Sequence, residues 1–369
     1  MRWLFVALLT VHGLIHLMGV AKAYDLAELA ELTQPVSKAT GLVWVLAAAL
    51  LIATAVLLVT GSRLWWAAGA AGIVVSQVVI AAAWGDARFG TIANVLIAAG
   101  VVCGFASIGP MSLRAEYERE IAARAEPAEA PPVITDADLA HLPPPVQRYV
   151  RLTGAVGQPR VHHVWVSWRG RIRGAADEPW MDFTAEQHNF LDEPARFFVM
   201  DATRGGLPVD VLHAYHHGAA SMRVRLLSLV PLVSADGPDM TRAETVTLLN
   251  DLALLAPAGL INQAIQWEPL DDRSARARYT VGAHTVSAVL WFNDAGELVN
   301  FTSDDRMAQS AGGAAWTAMP WSTPVGEYRQ FGPWRLVSRG AGTWRPPEGE
   351  YTYIEMEVAD VRTNARPSR

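Results

Sequence analysis

Four apolar runs dominate the first third of the chain: Trp3–Val20, Gly41–Thr60, Leu64–Trp84 and Thr91–Ile108. Each is close to the ~20 residues with which an α-helix crosses ~30 Å of hydrocarbon. This restricts the chain to architectures containing a membrane part, and the distribution of charge agrees. Residues 1–110 hold five Lys/Arg and four Asp/Glu, whereas residues 111–369 hold 25 and 32. Neither part is strongly basic, so nucleic acid is not an expected partner, because a phosphate-binding stripe is missing. The single cysteine, Cys103, lies inside an apolar run and forbids an intrachain disulfide or a thiolate metal cluster.

The first run has Arg2 ahead of an apolar stretch, as a secretory signal has, but it carries two histidines and no small-x-small cleavage site follows. It is read as a mature helix. In Asp25–Leu32, Leu26, Leu29 and Leu32 are spaced three apart among acidic neighbours, which predicts a short interfacial helix. The links 61–63 and 85–90 are short enough to join antiparallel neighbours. Trp65, Trp66, Trp84 and Phe89 fall at the expected headgroup level. An N-terminus inside places Arg2, Arg63, Arg114, Arg119 and Arg124 in the cytoplasm, against Lys22, Lys38 and Arg88 outside. Four spans then put the C-terminal part on the cytoplasmic side.

Residues 111–132 read as a charged helix followed by a Pro-rich linker, and a second short helix follows the proline run 143–145, with Val146, Tyr149, Val150 and Leu152 as its apolar positions. From Val161 the pattern turns to period two. Val164, Val166, Trp168 and Ile172 face one way and Trp165, Ser167, Arg169, Arg171 and Arg173 the other. Similar runs recur at 181–190, 195–204, 209–216, 221–227, 276–281, 285–292, 298–303, 334–344 and 351–361, separated by turn-formers such as Gly205-Gly206 and His217-Gly218. Thr241 and Glu244 have capping-box spacing, followed by an apolar stripe of Val246, Leu249, Leu252 and Leu255. The fold class expected is an α+β membrane protein: a four-helix transmembrane bundle (1–110), a charged helix and linker (111–132), and an antiparallel curved β half-barrel of eight to eleven strands (133–369) covered by a helix.

His12 and His16 lie four apart on one face of a membrane helix, with Gln77 and Asn94 as intramembrane polar partners. An interhelical hydrogen bond from His16 to Gln77 is expected, and a proton or ion path or a metal edge are the alternatives. His213 and His217 fall on one strand face and His216 on the other, so they do not converge on a metal. No metal and no cofactor are expected, since dinucleotide, phosphate-loop and zinc-hydrolase signatures do not occur. The β part is rich in large apolar residues, and Trp168, Phe183, Phe198, Met200, Met222, Phe292 and Met356 are taken as the lining of an apolar cavity.

The run 11–18 (VHGLIHLM), the segment 84–94 (WGDARFGTIAN), and 142–150 with Gly154–Gly157 together resemble an uncharacterised bacterial membrane-protein family, a domain of unknown function. The likeness continues through 179–187, 221–226, Trp267-Glu268 and Trp344. It implies a bacterial inner membrane and brings no catalytic residues. More loosely, a curved antiparallel sheet closed by a helix is similar to the lipoprotein-carrier fold, whose members hold acyl chains. The function expected is a membrane-tethered, non-enzymatic module binding a lipid or acyl chain. The alternatives are a domain docking another membrane protein, and a hydrolase-type enzyme with a carboxylate pair.

Overall fold

The computed structural model describes residues 2–29, 32–124, 130–310 and 315–365, so part of the expected linker lies outside the described residues. The chain divides into two compact units, Met1–Ala115 and Glu116–Arg369.

The first unit contains α1 (Arg2–Ala23), α2 (Lys38–Val59), α3 (Trp65–Ala82), a single turn α4 (Trp84–Ala87) and α5 (Gly90–Ile108). Four of its helical stretches, including the one that begins at Gly90, are long and apolar enough to cross a membrane. Leu9, Leu51, Ile97 and Val101 form the centre of the bundle. Helices approach closely where a side chain is missing, since the Trp44 ring lies where a Cβ on Gly19 would stand. The interfacial helix expected at Asp25–Leu32 does not form: residues 25–29 are turn and coil, and 30–31 lie outside the described residues. Asp25 instead stops α1. It adopts a left-handed backbone (φ 54°), and Leu26 N–H donates back to Ala21 O at 2.9 Å.

The second unit takes in most of α6 (Leu113–Ala122), then α7 (Pro144–Leu152) and a first strand series: β1 (His163–Ile172), β2 (Met181–Phe190), β3 (Ala195–Arg204), β4 (Leu207–His216), β5 (Ala219–Leu226) and β6 (Val230–Ala235). The long helix α8 (Gly237–Leu255) leads to the second series: β7 (Ile265–Asp271), β8 (Ser274–Val281), β9 (His284–Phe292), β10 (Leu298–Ser303), a small hairpin of β11 (Met307–Gln309) and β12 (Trp316–Ala318), then β13 (Trp321–Phe331), β14 (Trp334–Trp344) and β15 (Tyr351–Thr363). Thirteen strands make one sheet in the order β6-β5-β4-β3-β2-β1-β15-β14-β13-β10-β9-β8-β7. The last strand returns beside the first, antiparallel, as Val166 opposite Val361 shows. Both series are thereby fused, and β6 and β7 are left as the two edges.

Curvature follows from α8. The helix touches both β5 and β9, which are nine strand spacings apart in the sheet order, or ~43 Å if the sheet were flat. A helix is only ~10–12 Å across. The sheet therefore wraps around α8, and fifteen α8 residues are buried. Helix and both arms of the sheet share one core, with Leu249, Val246, Phe198 and Leu290 among its members.

The expectation of eight to eleven strands was low, because strands containing proline were passed over. Pro231 lies in β6 and Pro269 in β7, both edges, where a missing N–H costs little. Pro324 lies in β13, inside the sheet. The capping box is also corrected. α8 begins four residues before Thr241, at Gly237-Pro238, with Asp236 at the N-cap position. Thr241 Oγ1 is consequently inside the helix, donating to Gly237 O at 2.8 Å and accepting from Ala220 N–H at 3.0 Å.

Candidate functional site

The concave face of the sheet changes character along its strands. Cross-strand partners define one apolar row, Ala202–Phe183–Gly170–Met356–Gly340–Val325. Gly170 matters here, since a Cβ on it would stand 2.7 Å from the Phe183 ring. The next row is Met200–Ala185–Trp168, and the next joins Met222, His213, Phe198 and Gln187. The last row is polar, with Arg196 between Asn189 and Tyr215.

This polar end meets α8. Arg196 Nε donates to Asp251 Oδ2 at 2.8 Å and Nη1 to Glu244 Oε2 at 3.1 Å. Gln187 and Asn189 also donate to Asp251 Oδ2, at 2.7 and 2.9 Å. Glu244 and Asp251 are seven apart, two turns along one face of α8. From the other arm, Arg306 donates to Ala243 O and to the Thr247 hydroxyl, comes within 3.6 Å of Glu244, and lies over the Trp321 ring at 4.5 Å. His213 Nδ1 is 3.7 Å from Glu244 Oε1. Burial alone would raise Glu244, but the His213 contact and the Arg196 and Arg306 charges outweigh it and hold the carboxyl below its usual range. Burial raises Asp251 despite Arg196 and Asn189 pulling the other way. Both carboxylates are sealed between helix and sheet, at 3% and 7% exposure, and through Arg196 they tie α8 to β3.

Of the residues expected to line a cavity, Trp168, Phe183, Phe198, Met200 and Phe292 are buried in the core shared with α8, while Met222 and Met356 are half-buried against it. Phe292 stands apart on β9, with its ring 5.5 Å from Tyr149. Tyr149 in turn donates to Ala253 O of α8 at 2.7 Å. The interior is thus filled by α8 rather than open. Ile172, Ile354, Met356 and Val325 remain half-buried and continue the apolar surface toward the end where β1 and β2 join.

The sheet also carries two open grooves. One, of ≈ 620 Å³, is lined by Arg169, Arg171, Arg339, Asp182, Glu355 and Glu357 together with Gly170, Val325, Gly340 and Met356 of the apolar row. Two of its arginines face carboxylates, Arg171 to Glu355 at 2.7 Å and Arg339 to Glu357 at 3.6 Å. The other, of ≈ 250 Å³, runs along β9 and β10 near Asp304 and Asp305.

His163 opens β1 directly after His162, and His163 Nε2 lies 2.7 Å from His188 Nδ1 with the rings stacked. Tyr117 of α6 approaches His188 at 5.7 Å. His216 faces Glu120 of α6 at 3.5 Å, away from His213, and His217 adopts a left-handed backbone in the β4–β5 turn.

In the first unit the polar side chains converge, with partners other than those expected. His12 Nε2 pairs with Asn94 Oδ1 at 3.0 Å. Ser76 donates to the same oxygen at 3.0 Å, Asn94 Nδ2 donates to Gln77 Oε1 at 2.9 Å, and Gln77 donates to Thr91 at 3.1 Å. His16 does not reach Gln77. Its Nδ1 donates to His12 O at 2.8 Å, because a carbonyl four residues back on the same helix is always within reach.

The sequence reading missed Arg196, Glu244, Asp251 and Arg306. A signal was available: the concave parity of β2 continues from Phe183 and Ala185 to Gln187 and Asn189, which marks a polar patch on an inward face.

Residues 132–356 match the model of a family described as a family of unknown function (DUF6544). None of the curated proteins compared with the chain matches it. Among solved structures, a putative outer membrane lipoprotein-sorting protein domain from Vibrio parahaemolyticus is similar over 56% of this chain and 87% of that one, at 12% identity and a TM-score of 0.34.

Proposed function

The chain belongs to the DUF6544 family of unknown function, and for it we propose a membrane-anchored, non-enzymatic protein that binds a lipid or acyl chain on the concave face of its β unit. In this reading residues 1–110 form the four-span anchor in the bacterial plasma membrane. Residues 111–132 form the connection, and residues 133–369 are the binding domain, held on the cytoplasmic side by the Lys/Arg bias of the spans.

One observation carries the proposal: α8 lies on an apolar concave face, yet along its middle it is attached through the ion pairs of Glu244 and Asp251 with Arg196. A buried ion pair adds little net stability, because both partners recover hydration when they separate. An equal area of apolar contact has no such compensation. A helix held in this way leaves the sheet more readily than one packed by aliphatic side chains alone, and it exposes Phe183, Phe198 and Met200 as it goes. An acyl chain covers what the helix uncovers. Met222 and Met356, flexible and polarizable, suit chains of varied shape.

The test uses the full chain in lipid nanodiscs with a photoactivatable palmitate, followed by peptide mapping. Labelling concentrated in β1–β3 and around Met356, and displaced by unlabelled lipid, supports the reading. Labelling confined to the membrane helices overturns it.

A docking function has one observation in its favour. Leu229, Val230 and Leu232 are exposed at 45–50% on the edge strand β6 or its turn, where an unpaired edge invites a partner. Crosslinking in native membranes that returns one reproducible partner through β6 would favour it.

A further inference from the structure

Resting on that reading, we propose that the ligand is an anionic amphiphile whose head takes the place of the α8 carboxylates at Arg196 and Arg306. The argument is one of charge. In the closed state β3 and the β10–β11 link contribute one guanidinium each to this contact and the helix two carboxylates, and all four are at least largely buried: Arg196 side chain 9% exposed, Arg306 12%, Glu244 4% and Asp251 10%. If α8 moves away with Glu244 and Asp251, Arg196 and Arg306 are left beside Phe198 and Trp321. A neutral apolar ligand would cover the aromatic surface and strand both cations in it, which is the most unfavourable way to bury a charge. An anionic head restores the pairing, and the planar guanidinium of Arg196, already holding carboxylate oxygens through Nε and Nη1, suits either carboxylate or phosphate.

The geometry extends the argument to the tail. Arg196 and Ala202 are on one strand and face, six residues or ~20 Å apart. Between them lie Phe198 and Met200 on the same parity, and Ala202 leads across the row to Phe183 and Met356. The concave face is therefore polar and cationic at one end and apolar over the length of a long acyl chain. His213, half-buried on the Phe198 row, and the Gln187 and Asn189 amides supply further donors to the head.

Fatty-acid carboxylate and phospholipid phosphate share this chemistry, and competition separates them. The full chain in nanodiscs is labelled with photoactivatable palmitate while oleate, lysophosphatidate, oleyl alcohol or mono-oleoylglycerol competes. At least ten-fold stronger competition by oleate, by lysophosphatidate or by both than by the neutral pair is expected, and the stronger of the two anions identifies the head. Equal competition by all four overturns the anionic assignment and leaves lipid binding intact, whereas absence of labelling in the β unit removes lipid binding itself. Arg196→Gln should abolish the anionic preference. Because that variant leaves two carboxylates buried and can fail to fold, Glu244→Gln is the second probe: it leaves Asp251 as the helix's one carboxylate against Arg196 and Arg306, so labelling by the anionic probe should rise several-fold. A fall in labelling with a folded Glu244→Gln protein also overturns the proposal.

Discussion

Arg196 Nε lies 2.8 Å from Asp251 Oδ2, and the same guanidinium reaches Glu244 at 3.1 Å, so one side chain from β3 fixes two turns of α8. Arg196→Met removes the cation and leaves both carboxylates in place, which should destabilise the β unit by ~3–5 kcal/mol. Arg196→Met combined with Asp251→Leu should be less destabilised than the single change, since Glu244 keeps Arg306 and His213. Urea unfolding followed by tryptophan fluorescence measures both. A double variant no better than the single one would show that the contact is worth more as packing than as charge.

The His163–His188 pair predicts an acid-sensitive fold. Burial, aided by the neighbouring His162, lowers His163 to about 4, and burial, aided by His163, lowers His188 to about 3, from an ordinary 6.5. Both folded values are depressed, so the unfolded chain binds protons that the folded one refuses. Their contribution is complete above pH 6.5 and is lost as pH falls toward about 4, with a slope of up to ~1.4 kcal/mol per pH unit for each histidine. Replacing both by Phe, beside the already stacked Phe190, should flatten stability against pH in this window. Thermal melts at pH 7, 6, 5 and 4.5 decide it.

Period-two alternation was enough to locate ten of the strands, because inward and outward residues differ so clearly in runs such as Val164–Ile172. Strands holding Pro231, Pro269 and Pro324 were invisible for the reason that proline is normally excluded from ladders. The curved sheet follows from hairpin spacing, but the joining of its two series through β1 and β15 pairs residues almost 200 apart, as in Trp165 with Arg362, and no local pattern records that. The tie between Arg196 and α8 was hidden for a related reason. Thr241 and Glu244 satisfy a capping-box pattern, and only the true start of α8 at Gly237 frees Glu244 to face Arg196. His12, Gln77 and Asn94 were legible as a group because polar residues inside apolar runs are conspicuous. Which of them bond was not, since that depends on the rotation of each helix.

Asn94 and His16 should respond differently to loss. Asn94 joins three helices, accepting from His12 and Ser76 and donating to Gln77. Asn94→Leu should therefore weaken the helix bundle by ~1–2 kcal/mol, at the upper end of measured interhelical bonds. His16 spends its Nδ1 proton on its own helix, and its Nε2 has no partner among the described residues, so His16→Leu should change bundle stability by less than ~0.6 kcal/mol. Detergent-driven unfolding of the two variants gives the comparison. A larger loss for His16 would mean that its Nε2 holds something in the membrane.

Movement of α8 is the step on which ligand uptake depends, and it can be blocked. Ala220 N–H donates to Thr241 Oγ1 at 3.0 Å, joining β5 to the first turns of α8, and both residues are 3% exposed. Ala220→Cys with Thr241→Cys, in a Cys103→Ser background, places two thiols across this contact. With the crosslink formed, α8 is tied to β5 near its start and cannot lift off the concave face. Labelling of β1–β3 by photoactivatable palmitate should then fall at least ten-fold and return on reduction. If the oxidised protein labels as well as the reduced one, the acyl chain does not need the helix to leave. The half-buried surface of Ile172, Ile354 and Met356 is then the whole of the binding site.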